Sequence, residues 1–244
     1  YNCEHSIFKS IGYTLRNVYA RWTKAYLRNV DMFACITEFQ KKKLIEAGYD
    51  KNKITVIPNS IDAPCSYTPT SGEYIAYIGR LSYEKGYDLL VEVARKHPEI
   101  KFCFAGAQRE QKNTDIPSNV EFAGYLQKDK LLEFIQKARF IVIPSRCYEG
   151  FPMAILEAAC HGKPAIAPNH GGFTEIIGQG ENAIGKLFEP GNTDDLDKQI
   201  AELWNNQTLT EELGEKAFRK LKKHYDSEVV YKQWETLFSK LKNS

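Results

Sequence analysis

From residue 73 onward the chain alternates short apolar runs with amphipathic stretches. The runs at 73–79 (EYIAYIG), 100–105 (IKFCFA), 119–123, 139–143 and 164–167, and a shorter one near 185–188, are brief and rich in branched and aromatic residues, so they read as buried strands. Helical periodicity between them predicts helices over 86–96, 128–137, 151–161 and 172–178, and from Asp194 to Lys223. Strand and helix in regular alternation predict an α/β fold, a doubly wound parallel sheet with helices on both faces. Upstream, the pattern predicts a helix across 7–28, a short buried strand at Asp31–Thr37, a helix at Glu38–Ala47 closed by Gly48, and a strand at Ile54–Ile57. A last helix, 227–242, carries Val229, Val230, Trp234, Leu237, Phe238 and Leu241 at helical spacing and needs a surface to pack on. Residues 61–72 shift to Pro, Ser, Thr and Gly and read as an interdomain linker between residues 1–60 and a unit at 73–224, which residues 225–244 follow.

The chemistry concentrates between Pro144 and Gly162, P-S-R-C-Y-E-G-F-P-M-A-I-L-E-A-A-C-H-G. A strand enters it, a turn-rich break follows from Ser145 to Gly150, and Pro152 stands where a first helical residue belongs. The free N–H groups of Met153 and Ala154 at such a start favour an anion. Glu149 and Glu157 bracket that start, and two acids beside an anion site suit a ligand with both phosphate and vicinal hydroxyls. Glu157 can then accept from a ribose while Glu149 faces the rest of the ligand. The alternative is a surface helix with Glu157 solvated.

In doubly wound sheets ligands bind at the carboxyl ends of strands. Three polar clusters fall there: Gly79–Gly86 (G-R-L-S-Y-E-K-G), the stretch holding Glu149, and Asn169–Glu175 (N-H-G-G-F-T-E). Arg80 and Lys85 form a cation pair suited to a diphosphate, and Gly171-Gly172 would admit a ligand close to the backbone.

Composition narrows the class. The 244 residues are 43% hydrophobic and 26% charged with a net charge of +2, which gives no argument for nucleic acid. Six scattered cysteines without a C-x-x-C pair favour reduced thiols and a cytoplasmic setting over a disulfide framework or zinc site. No signal peptide or membrane-spanning run is present in the sequence given, and its start at Tyr1 within structured sequence suggests a piece of a longer chain.

The combination I-G-R-L-x-x-E-K-G, then E-G-F-P-x-x-x-x-E, then G-G-x-x-E resembles the nucleotide-sugar domain of retaining glycosyltransferases of family four, of the two-Rossmann (GT-B) type. Lys53–Asp62 (K-I-T-V-I-P-N-S-I-D) resembles that family's junction between domains, and the match runs from about Asp31 to the C-terminus. The resemblance implies a Rossmann-like donor domain at 73–224, the end of an N-terminal acceptor domain at 1–60, and a crossing helix at 225–244. It implies transfer from a UDP-, GDP- or ADP-sugar to an acceptor hydroxyl with retention and without a metal. Glu149, Arg80 and Lys85 carry the chemistry by that resemblance, and Gly79, Gly150, Phe151, Pro152, Met153, Ala154 and Glu157 complete the donor site. A carbohydrate or lipid-linked acceptor follows, with the missing domain needed for efficient catalysis. The other readings are a non-catalytic nucleotide-sugar-binding module and a sugar-nucleotide epimerase of the same fold.

Several signals have plainer uses. Asp195-Leu196-Asp197 suits helix capping better than a metal. His170 reads equally as a sugar contact or a solvated loop residue. Tyr125, at a strand end, suits the lining of a base pocket or core packing, the second being preferred, and His97 has no evident partner. The first helix, rich in aromatic and basic residues, suits either an anionic membrane face or packing on another domain. The second is preferred because its aromatics look scattered.

Overall fold

The computed structural model describes residues 7–69, 71–108 and 115–242. Two helices, α1 (Ile7–Thr23) and α2 (Ala25–Asn29), lead into a parallel pair of strands, β1 (Phe33–Cys35) and β2 (Ile54–Val56), joined by α3 (Glu38–Glu46). The predicted single helix over 7–28 breaks at Lys24, which takes the left-handed conformation (φ 49°). Projected at about 100° per residue, Ile7, Phe8, Ile11, Leu15, Val18, Tyr19 and Trp22 of α1 fall within an arc of about 120°, with Lys9 and Arg16 opposite. The scattered-aromatics reading is therefore wrong for this helix, Tyr13 apart, and all seven apolar side chains are exposed.

The later apolar runs pair as predicted. Strands β3 (Tyr74–Ile78), β4 (Phe102–Ala105), β5 (Val120–Gly124), β6 (Ala138–Val142), β7 (Ala165–Pro168) and β8 (Gly185–Phe188) form one sheet in the order β5-β4-β3-β6-β7-β8. Every neighbouring pair is parallel. The chain runs outward from β3 to β5, then returns to start β6 on the other side of β3. That reversal leaves a crevice at the carboxyl ends of β3 and β6.

Alternation along the strands buries both faces. Tyr74, Ala76, Cys103 and Ile141 pack with α5 (Asp129–Lys137), α6 (Met153–Ala159), α7 (Gly171–Ile177) and part of α9 (Gln207–His224). Ile75, Tyr77, Phe102, Phe104 and Phe140 pack on the other side with α4 (Tyr87–Lys96) and α8 (Thr193–Asn205). Each fully buried side chain of this size contributes about 1.5–3 kcal/mol, so the sheet is a stiff frame for the loops at its ends.

The helices predicted from Asp194 to Lys223 divide at Asn206, which accepts from the Leu209 N–H to cap α9. The helix predicted over 151–161 is shorter, with Pro152 as its N-cap. The final helix, α10 (Ser227–Lys242), starts where Ile61 crosses the chain. Ile61 donates its N–H to Tyr225 O (3.0 Å), and Ser227 donates to Ile61 O (3.1 Å). Its surface is the junction of the two sheets, where Val230 is buried and Tyr231 and Trp234 line a groove of about 850 Å³ with Ile36, Ile57 and Met153.

The N-terminal sheet is tied to the rest through α3. Glu175 in α7 accepts from the N–H groups of Glu38 (3.1 Å) and Phe39 (3.2 Å), placing a carboxylate at the positive end of that helix. Phe39 also stacks on Tyr148 with 5.7 Å between ring centroids.

Candidate functional site

The site is assembled at the crevice between β3 and β6. Gly79 leaves β3 by donating to Ala105 O (3.0 Å), and buried Tyr77 donates its hydroxyl to Arg80 O (2.7 Å), which pins the turn. A single 3-10 turn, Tyr83–Lys85, then delivers Lys85 to the crevice. Gly86 follows at φ 69°, and a Cβ there would lie 1.9 Å from Pro144 O. Only glycine lets the two loops approach this closely.

Lys85 Nζ and Glu149 Oε1 meet at 2.6 Å, 64 residues apart in sequence, each side chain about one-fifth exposed (22% and 20%). Arg80 lies 3.8 Å from Glu84, with both side chains well exposed. The two cations predicted to act as a pair therefore each have an acid of their own, and Glu149 reaches the crevice through Lys85. Partial burial makes that pairing favourable, since an unpartnered charge there would lose hydration without compensation.

Beside it lies a cavity of about 560 Å³ with Gly79, Arg80 and Glu157 on its wall and the loop from Tyr125 to Lys128 across it. Glu157 is half-buried, and burial alone raises its pKa above the usual carboxylate value. It has no hydrogen-bond or ion-pair partner among the described residues. Tyr125 lines this cavity with 70% of its surface exposed, so the core-packing reading of Tyr125 is wrong: Gly124, at φ 72°, turns the chain out of the sheet before it.

The stretch from Gly150 to Ala154 is divided. Phe151 is buried against Tyr225 (5.6 Å, edge to face), and Met153 lines the α10 groove, not the Glu157 cavity. A Cβ on Gly150 would sit 2.4 Å from the Gln40 amide. What the stretch offers a ligand is backbone N–H at the start of α6, where the first donors have no acceptor within their own helix.

Gly171-Gly172 serve the protein's own packing. Gly172 donates to Glu149 O (3.1 Å), and a Cβ on it would stand 2.5 Å from Gly150 O. Close approach is needed there by the Glu149 loop. His170 is held between Tyr148 (4.8 Å) and Phe173 (5.7 Å), and burial lowers its pKa, so the solvated-loop reading fails.

Two residues of the site escaped the sequence reading. Arg146 and Asp88 form a bidentate pair, 2.7 and 2.8 Å, between the loop after β6 and the first turn of α4. The 58 residues separating them leave no short-range signal.

Residues 66–220, more than half of the chain, match the family of glycosyl transferases group 1, and residues 3–63 match glycosyltransferase family 4. The chain belongs to the glycosyl transferases group 1. An uncharacterized glycosyltransferase of Methanocaldococcus jannaschii is 32% identical over 77% of this group 1 chain and 53% of its own length. The 2-deoxystreptamine N-acetyl-D-glucosaminyltransferase of Niallia circulans is 27% identical over 78% of the chain and 54% of its own length. Among solved structures, Anabaena HepE in complex with UDP superposes with a TM-score of 0.76 at 19% identity, covering 86% of this chain and 64% of that one. The chain thus spans about half the length of these two curated relatives.

Away from the crevice, the Asp-x-Asp of this group 1 chain is fully engaged. Asn192 caps α8 by accepting from the Asp194 and Asp195 N–H groups. Asp195 accepts from the Glu189 N–H, and Asp197 bonds Lys96 (3.2 Å) at the end of α4 and His97 (2.6 Å) just after it. His97 therefore has a partner that its sequence context did not show. No cluster among the described residues could hold a metal ion.

The described cysteines are all free thiols, and Cys3 lies outside the described residues. No described helix is long and apolar enough to cross a membrane.

Proposed function

We propose that residues 73–224 bind the nucleotide-sugar donor of a retaining glycosyltransferase and hold its diphosphate as it departs. The observation that carries this is the crevice itself. A Lys85–Glu149 ion pair and Arg80 lie at its mouth, and an unpartnered Glu157 lies on the wall of the adjoining cavity. The 560 Å³ volume suits a nucleoside, and the complex of the HepE neighbour with UDP supports a nucleoside diphosphate there.

Glu157 accepts from the ribose hydroxyls, and the Tyr125–Lys128 loop borders the base. Arg80, Lys85 and the N–H groups of Met153 and Ala154 take the diphosphate. A lysine ammonium has three donors and Glu149 uses one of Lys85's, so Lys85 can serve acid and phosphate together. The sugar then projects toward Glu149. As the glycosidic bond stretches, negative charge grows on the departing diphosphate, and these prepositioned cations stabilise it without a metal.

Residues 1–60 form the end of an acceptor-binding domain, 61–72 a linker and 225–244 a crossing helix. The acceptor is a carbohydrate or lipid-linked sugar, and the apolar arc and basic residues of α1 support contact with the inner face of a membrane. Efficient transfer needs the remainder of the acceptor domain.

Calorimetry with UDP, GDP and ADP tests the donor site. One diphosphate binds the wild-type chain, and Lys85→Ala and Glu157→Ala each weaken it at least tenfold. Equal affinity in both variants overturns the assignment.

A further inference from the structure

Lys85 and Glu149 belong to different loops, and neither loop is regular structure. Lys85 ends a single 3-10 turn after β3, and Glu149 lies in the irregular segment after β6. Their 2.6 Å contact therefore depends on whatever holds the two loops in register.

Arg146, three residues before Glu149, reaches back across the crevice to the other loop. Nη1 donates to Asp88 Oδ1 (2.7 Å) and to Tyr83 O (2.7 Å), and Nη2 donates to Asp88 Oδ2 (2.8 Å). The guanidinium lies over the Tyr83 ring, 4.1 Å from its centroid. The Arg146 backbone N–H donates to Glu84 O (2.9 Å). One residue thus grips Tyr83, Glu84 and Asp88, which flank Lys85 on both sides.

The guanidinium is well matched to this task. Its planar fork satisfies both carboxylate oxygens at once while its face stacks on an aromatic ring, which an ammonium cannot do. The two Arg146 and Asp88 side chains are only about a quarter exposed, 22% and 27%, so the pair is screened less than a surface ion pair. Three of its N–H bonds point at protein acceptors and none of its contacts is with the Glu157 cavity, so Arg146 is not itself placed as a phosphate ligand.

We propose that Arg146 is a positioning residue that sets the Lys85–Glu149 pair for the diphosphate, acting through Asp88 and Tyr83. This rests on the donor-site reading above. Displacing a catalytic group by about 1 Å is enough to cost on the order of 100-fold in rate. Diphosphate affinity, which depends on the same lysine, falls with it.

The test separates the two halves of the ligand. Calorimetry on the whole chain compares the tightest-binding of UDP, GDP and ADP with the matching nucleoside, which reaches only the Glu157 end. Wild type, Arg146→Ala, Arg146→Lys, Asp88→Asn and Lys85→Ala are measured together, each with its thermal midpoint. Arg146→Ala and Asp88→Asn are expected to weaken diphosphate binding about tenfold or more while nucleoside affinity stays within twofold. Arg146→Lys restores only part of the loss, because the fork and the stacking are gone. A merely structural ion pair would weaken both ligands in proportion to lost stability.

If Lys85→Ala loses diphosphate affinity and both Arg146 variants and Asp88→Asn keep it, the positioning role is overturned and the donor site stands. If Lys85→Ala is also silent, or no diphosphate binds wild type, the donor-site reading falls and this inference with it. Should Arg146→Ala fail to fold, Asp88→Asn and Arg146→Lys decide the matter by the same diphosphate-to-nucleoside ratio.

Discussion

Replacing Glu157 with Gln separates what this side chain costs the fold from what it contributes to the site. The carboxylate is half-buried without a partner among the described residues, and burial raises its pKa from the ordinary 4.5. A raised folded-state pKa means that the native protein binds this proton more tightly than the unfolded chain does. Stability is therefore lost as pH rises from the ordinary carboxylate value through the raised one, and the deficit is complete above it. Gln keeps the shape and removes the desolvated charge, so Glu157→Gln is expected to be at least as stable as wild type at pH 7. The difference between the two should close below about pH 4, where the carboxyl is protonated in both states.

The ligand responds in the opposite direction. A hydrogen bond to a charged group contributes about 1.5–3 kcal/mol, so loss of one such bond to a ribose weakens nucleoside diphosphate binding roughly 10- to 150-fold. Urea melts between pH 4 and 8 and calorimetry with UDP, GDP and ADP measure both effects on the same samples. A variant less stable at pH 7 with unchanged nucleotide affinity would refute the reasoning, since Glu157 would then be a structural acceptor.

Gly172→Ala places a methyl 2.5 Å from Gly150 O and 2.9 Å from Glu149 O, and overpacking of this kind costs about 1–3 kcal/mol, to be read from the urea midpoint. Asp197 is partly buried, which alone would raise its pKa, but hydrogen bonds from His97 and Lys96 outweigh this and hold it below the usual aspartate value. Its contribution is therefore present above the ordinary value of 3.8 and lost as pH falls through the depressed one. Asp197→Asn should lower stability by about 1–3 kcal/mol at neutral pH, with the gap to wild type narrowing in melts toward pH 3. Burial pushes the Cys103 and Cys160 thiols up to about 11, while Cys65 and Cys147 are exposed. Iodoacetamide at pH 8 should label Cys65 and Cys147 first, and labelling of Cys103 or Cys160 at a comparable rate in the native protein would contradict the packing.

The strands, most of the helices and the doubly wound parallel arrangement were legible in the residues, because the inner strands β3, β4, β6 and β7 are buried on both faces and are therefore near-continuous apolar runs. Local chemistry also announced turns: Gly48 and Gly162, both at positive φ, follow the ends of α3 and α6. Periodicity alone could not show the break at Lys24, whereas the apolar arc of α1 is already present in the 3.6-residue spacing of its residues.

Long-range pairing was beyond the sequence. That Lys85 is held by Glu149, that Arg146 clasps Asp88, and that His97 answers Asp197 are contacts across 58 to 100 residues, fixed only when the β3 and β6 loops and helices α4 and α8 come together. The same is true of the glycines after β7, whose spacing suggested room for a ligand and whose space the Glu149 loop fills. Tyr125 shows the limit most simply. Its aromatic ring is as suited to a core as to a cavity wall, and the choice was made by the turn at Gly124, which carries it out of the sheet. Local propensities determined which elements form. Their packing decided which charges meet, since that depends on distance through space and not along the chain.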